Sequence, residues 1–164
     1  MVNIKSPGRI CLFGEHQDYL DLPVIAMGIS LFSTLKGQRI ANREVIIHKL
    51  DIDEVENFSL DYLFYDNEKN YYKSGIRICM KEGLKFSKGF QVEVQSNIPF
   101  QSGCGSSSSI MVAWIYFLTQ ISDNPQHIPP SVDNNMPSPF PPHHNQKLPF
   151  PADFPFLLSS ISEL

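Results

Sequence analysis

The stretch Ile98-Pro99-Phe100-Gln101-Ser102-Gly103-Cys104-Gly105-Ser106-Ser107-Ser108-Ser109 runs directly into IMVAWIYFLTQI at 110–121. Pro99 ends one element, and Gly103 and Gly105 bracket Cys104. Two such glycines let the backbone turn and let another group approach without a Cβ clash. Four serines then lead a run apolar enough for a buried helix, and serine is a favoured helix N-cap. The first turn of a helix carries N–H groups with no internal acceptor, and with the macrodipole they attract an anion. The pattern therefore predicts a phosphate cradle, with a serine hydroxyl open to hydrated Mg2+. A flexible Gly/Ser linker ahead of a core helix is the competing reading. The lysine of a G-x-x-x-x-G-K-[ST] loop is absent, so this is not that loop.

Just upstream, Phe90, Val92 and Val94 alternate with Gln91, Glu93 and Gln95, which predicts a half-buried strand feeding the glycine turn. Strand, glycine turn and buried helix together favour the cradle over the linker. Before that strand, helical spacing begins at Tyr71, with Tyr72, Ile76 and Cys79 or Met80 on one face, and Gly83 or Gly89 as the stop. Further back, 44–49 (EVIIHK) reads as a short strand, and 51–56 as an acidic, solvated loop. Residues 23–39 read as an extended apolar strand. Residues 2–13 read as a strand broken by a turn at Ser6-Pro7-Gly8.

Between these two strands lies a second polar cluster. Glu15, His16 and Asp18 place two carboxylates and an imidazole within four residues, a set able to bond vicinal hydroxyls of a sugar. Arg9, a few residues earlier, is placed to face a transferring phosphoryl group, whose charge arginine and metals stabilise. The bland alternative is a polar turn with a capping glutamate and a satisfied histidine.

Composition narrows the function classes. A net charge of -4 gives no electrostatic footprint for nucleic acid or an anionic membrane, and neither is expected as a partner. The N-terminus leads into Ser6-Pro7-Gly8 without a long apolar core, so no signal peptide is expected. Cys11, Cys79 and Cys104 are odd in number, widely spaced and lack a C-x-x-C. That argues against a disulfide framework or zinc site and for a cytoplasmic setting. Ten of the 13 prolines fall from Pro125 to Pro155, a density no long helix or central strand tolerates. The sequence thus divides into a domain at 1–122 and a Pro-rich, disordered tail at 123–164. A shifted reading frame would account for the tail, and an SH3-type ligand is the functional alternative.

Read together, the two clusters resemble the GHMP kinase superfamily. Ser6-Pro7-Gly8-Arg9-Ile10-Cys11-Leu12-Phe13-Gly14-Glu15-His16-Gln17-Asp18-Tyr19 is similar to its first motif in the galactokinase form, G-R-x-N-[LIVM]-[GA]-E-H-x-D-Y. The stretch from Pro99 to Ser108 is similar to its second, P-x-G-x-G-L-[GS]-S-S-A, about 85 residues on. Cys11 stands where the galactokinase form has Asn, its surroundings resembling the mevalonate kinase form. Gln101 replaces a glycine and Cys104 a leucine.

The resemblance implies an α+β domain, a mixed and mostly antiparallel sheet with helices on one face, of the ribosomal protein S5 domain 2-like kind. It implies ATP-dependent phosphorylation of a small-molecule hydroxyl, most simply a sugar, with ATP and Mg2+. Under it Arg9 is catalytic and, with Glu15, His16, Asp18 and Tyr19, binds substrate. Pro99, Ser102, Gly103, Cys104, Gly105, Ser106, Ser107 and Ser108 bind ATP, and Ser107 ligates the metal.

The resemblance covers only 1–122, and no catalytic-base aspartate is found after Ser122. A weakly active or inactive copy is expected, with exposed apolar surface on the helix at 107–121. A non-enzymatic sugar- and nucleotide-binding sensor and a mevalonate-kinase-like phosphotransferase are the alternatives.

Overall fold

A computed structural model describes residues 1–14, 23–63 and 71–125. The chain contacts divide into a unit Met1–Gln126 and a unit His127–Leu164. The second unit, and with it all of the tail read as disordered beyond residue 125, lies outside the described residues. The elements of the first unit run β1 (Val2–Phe13), β2 (Ile25–Arg39), β3 (Glu44–Lys49), β4 (Glu54–Ser59), α1 (Tyr71–Lys81), β5 (Phe90–Ser96) and α2 (Ser106–Ile121).

The five strands form one sheet in the order β1-β2-β5-β3-β4. Among the described strands only β3 and β5 run parallel. The remaining pairs are antiparallel. This is the expected mixed, mostly antiparallel α+β arrangement. Register explains the core. Ile4, Leu35 and Val94 share one cross-strand row, and Gly37, Val92 and Ile47 share the next. All five apolar side chains of these rows are buried on one face. On the other face Lys5, Lys36, Glu93 and Gln95 meet solvent, the division expected of a sheet covered on one side.

Helix α2 supplies the cover. Trp114 and Phe117 are fully buried and stack with their rings 5.8 Å apart. Phe90 meets Phe117 edge-on at 5.7 Å. Glycine lets them come this close: a Cβ on Gly37 would lie 2.7 Å from Phe117 Cζ, and one on Gly75 in α1 would lie 2.7 Å from Trp114 Cδ1. The Trp114 indole N–H donates to the Tyr72 carbonyl at 3.1 Å, which docks α1 onto α2. Helix α1 ends at Gly83, one of the two expected stops, with φ +95°. There the Leu84 amide reaches the Cys79 carbonyl and the Gly83 amide the Met80 carbonyl. That paired closure is the Schellman end, which favours glycine.

Three local expectations are corrected. Ser6-Pro7-Gly8 does not break β1; the strand continues, with a register shift between Pro7 and Arg9. β1 is an edge strand, where the missing proline N–H is tolerated. The acidic stretch read as a loop at 51–56 is a turn only to Asp53, after which Glu54 opens β4, an edge strand with Glu54 exposed and Glu56 half-buried against Lys49. Lastly, α2 leaves a single large apolar side chain exposed, Val112. Among the described residues a cluster of exposed apolar side chains lies instead at the far end of the β1–β2 pair, at Leu12, Phe13, Val24, Ile25 and Met27.

Beyond Ser122 the chain stays tied to the domain for two further residues. The Asp123 carboxylate accepts from the Ser87 amide at 2.6 Å and from its hydroxyl at 3.0 Å, and the Asn124 side chain accepts from the Lys85 amide at 2.9 Å.

Candidate functional site

The glycine loop leaves β5 through a short series of side-chain bonds. Ser96 Oγ accepts from the Ile98 amide at 3.2 Å, and Ser102 Oγ donates to the Pro99 carbonyl at 2.8 Å. Gln101, Gly103 and Gly105 then take positive φ values of 56°, 70° and 67°. Positive φ at every second residue turns successive N–H groups toward a common side, the backbone form of an anion nest. The loop ends as Gly105, which is the N-cap of α2 in the left-handed region, with no side-chain cap. The serine cap expected from sequence is therefore replaced by a glycine cap, and Ser106, Ser107, Ser108 and Ser109 form the first helical turn. Gly105 accepts from Ser109, which leaves the amides of the three serines before it without an intrahelical acceptor. Among the described residues their hydroxyls have no hydrogen-bond partner; Ser107 is exposed and Ser106 and Ser108 are half-buried.

Against this loop lies β1. The Arg9 amide donates to the Cys104 carbonyl at 2.9 Å. A Cβ on Gly105 would lie 3.2 Å from Arg9 Cγ, and a Cβ on Gly8 would lie 2.9 Å from the Cys104 carbonyl oxygen. Both glycines thus permit a close crossing that any side chain would crowd. Ser109 completes the contact, its buried hydroxyl donating to the Ser6 carbonyl at 2.8 Å. The backbone and the base of the side chain of Arg9, an exposed residue, are thereby held beside the N-terminus of α2.

The structure accordingly brings together Arg9, Gly103, Cys104, Gly105, Ser106, Ser107 and Ser108. Pro99 and Ser102 shape the loop's entry, and Cys104 contributes its carbonyl to the crossing while its thiol leans on the Ser102 carbonyl. Glu15, His16, Asp18 and Tyr19 lie outside the described residues; Gly14, just before them, has φ +88°. Gly8 and Ser109 escaped the sequence reading. A lone glycine inside a strand is the signal for the first, since it marks a close backbone approach. No local pattern marks the second, because its partner is 103 residues away.

The arrangement suits a polyphosphate: open backbone donors and a helix dipole converge, an arginine within reach is rooted beside them, and hydroxyls unpaired among the described residues border them. Among the described residues no group of three His, Cys, Asp or Glu side chains could hold a metal by itself. A cation here would be held mainly by the phosphates it accompanies, with a serine hydroxyl as protein ligand, in keeping with the chemistry of Mg2+.

Comparison with known proteins finds family models over both stretches of sequence. The model of the GHMP kinases N terminal domain matches residues 70–129, and that of the galactokinase galactose-binding signature matches residues 2–36. The galactokinase of Clostridium perfringens is 36% identical over 113 residues, which is 64% of this chain and 28% of that protein. That of Mannheimia succiniciproducens is 27% identical over 128 residues, 76% of this chain and 33% of that one. The crystal structure of Lactococcus lactis galactokinase complexed with galactose superposes with a TM-score of 0.66 at 28% identity, over 73% of this chain and 32% of that one. Methanococcus jannaschii mevalonate kinase gives 0.65 at 25% identity, over 72% and 39%. The chain spans about one third of the length of the galactokinases it matches.

Proposed function

The chain belongs to the GHMP kinase superfamily, and from that premise we propose that it is the ATP- and sugar-binding part of a galactokinase-like sugar kinase. The reaction is transfer of the γ-phosphoryl group of ATP to a sugar hydroxyl. One observation carries the reading: Arg9, inside the galactose-binding signature, is clamped to Gly105 and Cys104 of the phosphate-type loop. A single site then holds a donor phosphate and an acceptor hydroxyl side by side, which is most of what phosphoryl transfer asks of a protein.

Within it the amides of Ser106, Ser107 and Ser108 and the loop from Pro99 to Gly105 hold the phosphates. Ser107 is the protein ligand of Mg2+. Arg9 balances the charge that spreads over the phosphoryl oxygens as the bond to the leaving group weakens. Glu15, His16, Asp18 and Tyr19 bind and orient the sugar, in support of which the galactose-binding signature spans all four. No residue of this chain is assigned as the base that takes the hydroxyl proton, so the 164-residue polypeptide by itself binds more effectively than it turns over.

The mevalonate kinase likeness in fold is as close as the galactokinase one. The sequence signature over 2–36 favours the sugar. Calorimetric titration of Mg-ATP and, separately, of galactose into the 164-residue chain tests the proposal. Heat is expected with both, and Arg9→Ala should weaken Mg-ATP about tenfold, the loss of one charge-assisted contact. Absence of heat with either ligand would refute the binding reading. Sustained ADP release with galactose by this polypeptide alone would refute the division between binding and turnover.

A further inference from the structure

We infer that Ser109 is a positioning residue that makes β1 and the glycine loop move as one body, so that phosphate bound at α2 and sugar bound along β1 strengthen each other. The inference rests on the functional reading above and adds a coupling device to it.

β1 is incompletely held by its neighbour β2. Pro7 has no N–H to give, and the pairing of β1 with β2 shifts register between Pro7 and Arg9. The step from Pro7 to Arg9 on β1 faces the longer stretch from Phe32 to Gly28 on β2, so the ladder is interrupted just before Arg9. Over 6–9 the strand is held from its other edge. Ser109 Oγ donates to the Ser6 carbonyl at 2.8 Å, and the Arg9 amide donates to the Cys104 carbonyl at 2.9 Å. Between these two bonds Gly8 presses on the Cys104 carbonyl without a Cβ. The position of Arg9 is thus set jointly by the loop and by the first turn of α2.

Of these links only the Ser109 hydroxyl is a side chain that can be removed cleanly. Ser109 is 3% exposed, and alanine differs from it only by the hydroxyl, so the substitution removes the bond with little change of volume. Serine within a helix usually bonds back to the carbonyl four residues earlier. In α2 the hydroxyl does not bond back to Gly105 and crosses instead to a strand of the other motif. Any ligand that orders the first turn of α2 therefore pulls on Ser6 directly. By linkage, one that orders β1 acts back on the loop by the same factor.

The experiment measures galactose affinity of the full 164-residue chain with and without saturating Mg-AMPPNP. In the natural sequence galactose is expected to bind at least about fivefold tighter with the nucleotide present, the low end of ordinary coupling. In Ser109→Ala each ligand should still bind singly while that factor falls to near one, and Ser109→Thr, which keeps the donor, should restore it. A merely structural role would weaken both ligands and leave the ratio alone, and that result would overturn the inference. So would independent binding of the two ligands to the natural chain. Binding of neither ligand would overturn the functional reading and the inference with it. Should Ser109→Ala not fold, hydrogen exchange on the natural chain decides. The Arg9 amide must exchange more slowly once Mg-AMPPNP is bound, and unchanged exchange would overturn the coupling.

Discussion

Gln101 holds a backbone conformation that suits glycine, with φ 56°, at the position where the superfamily pattern has a glycine. A non-glycine residue there costs about 1–2 kcal/mol, part of which glycine would return through the greater freedom of the unfolded chain. Gln101→Gly should therefore raise stability by about 0.5–1 kcal/mol, read as a midpoint shift of a few degrees in a thermal melt. A fall in the midpoint would mean that the glutamine side chain holds the turn in a way its backbone does not reveal. The same scale shows what sequence can and cannot say. The departure at Gln101 was visible as a broken pattern. The need for glycine at 105 was visible too, but its role as N-cap was not, because a run of four serines offers a local cap at every position. What excludes them is a contact with Arg9, 96 residues earlier by the numbering.

Among the elements, α2 is the one whose ends matter most. Its last turn closes on Arg39 of β2, whose Nε donates to the Ile121 carbonyl at 2.8 Å while the guanidinium also bonds the Ser122 carbonyl. The same group pairs with Asp123 at 3.0 Å. A cation on the final carbonyls both satisfies them and opposes the dipole. Arg39→Ala should cost about 1–2 kcal/mol, discounted for the partial exposure of the pair, with the midpoint of urea unfolding falling and its slope unchanged. A change in slope would point instead to fraying of the helix in the native state. Partial desolvation would raise the Asp123 carboxyl, but bonds from Ser87 and the charge of Arg39 outweigh it and hold it below the usual range. Its contribution is present above the ordinary value of 3.8 and is lost as pH falls through the lowered one. In α1, burial first and Glu82 second push the Cys79 thiol up to about 12. Burial, then Glu56 and Asp51, raise Tyr72 to about 12 as well. For these acids the native state keeps its protons longer. Their contribution is complete below the ordinary values of 9.0 and 10.0 and is lost as pH rises toward 12. A stability profile by chemical denaturation should be level near neutrality, declining below pH 4 and above pH 9; Asp123→Asn should flatten the acid side. Periodicity made β5 and α1 legible, since each buries one face against the same core. It failed at β4, whose carboxylates read as a loop and whose strand character comes only from pairing with β3.

At the scale of the whole molecule, the described domain has its own aromatic core and a polar outer sheet face, yet one end stays apolar. The β1–β2 pair continues past the last β5 partner, Ser33, and carries Phe13 at 70% and Ile25 at 55% exposure, facing partners in register. A two-stranded ribbon with exposed apolar side chains is a self-association hazard. The 164-residue chain should show concentration-dependent light scattering, and Phe13→Asp should reduce it without lowering the thermal midpoint. Unchanged scattering would locate the sticky surface elsewhere. Sequence foresaw an apolar surface but placed it on α2, because a hydrophobic run says that a helix is covered without saying by what; here the sheet covers it. Both motifs are local patterns and so stand out in the sequence; their mutual grip through Ser6, Gly8, Arg9, Cys104 and Ser109 required the fold.

That grip is also the most direct thing to test. Mg-AMPPNP titrated into the isotopically labelled chain, followed by backbone amide chemical shifts, reports where the phosphates go. The account predicts the largest changes at Ser106, Ser107 and Ser108, with Arg9 moving at the same ligand concentrations although it is remote in sequence. Shifts confined to other surfaces, or shifts in the serines that leave Arg9 untouched, would contradict it.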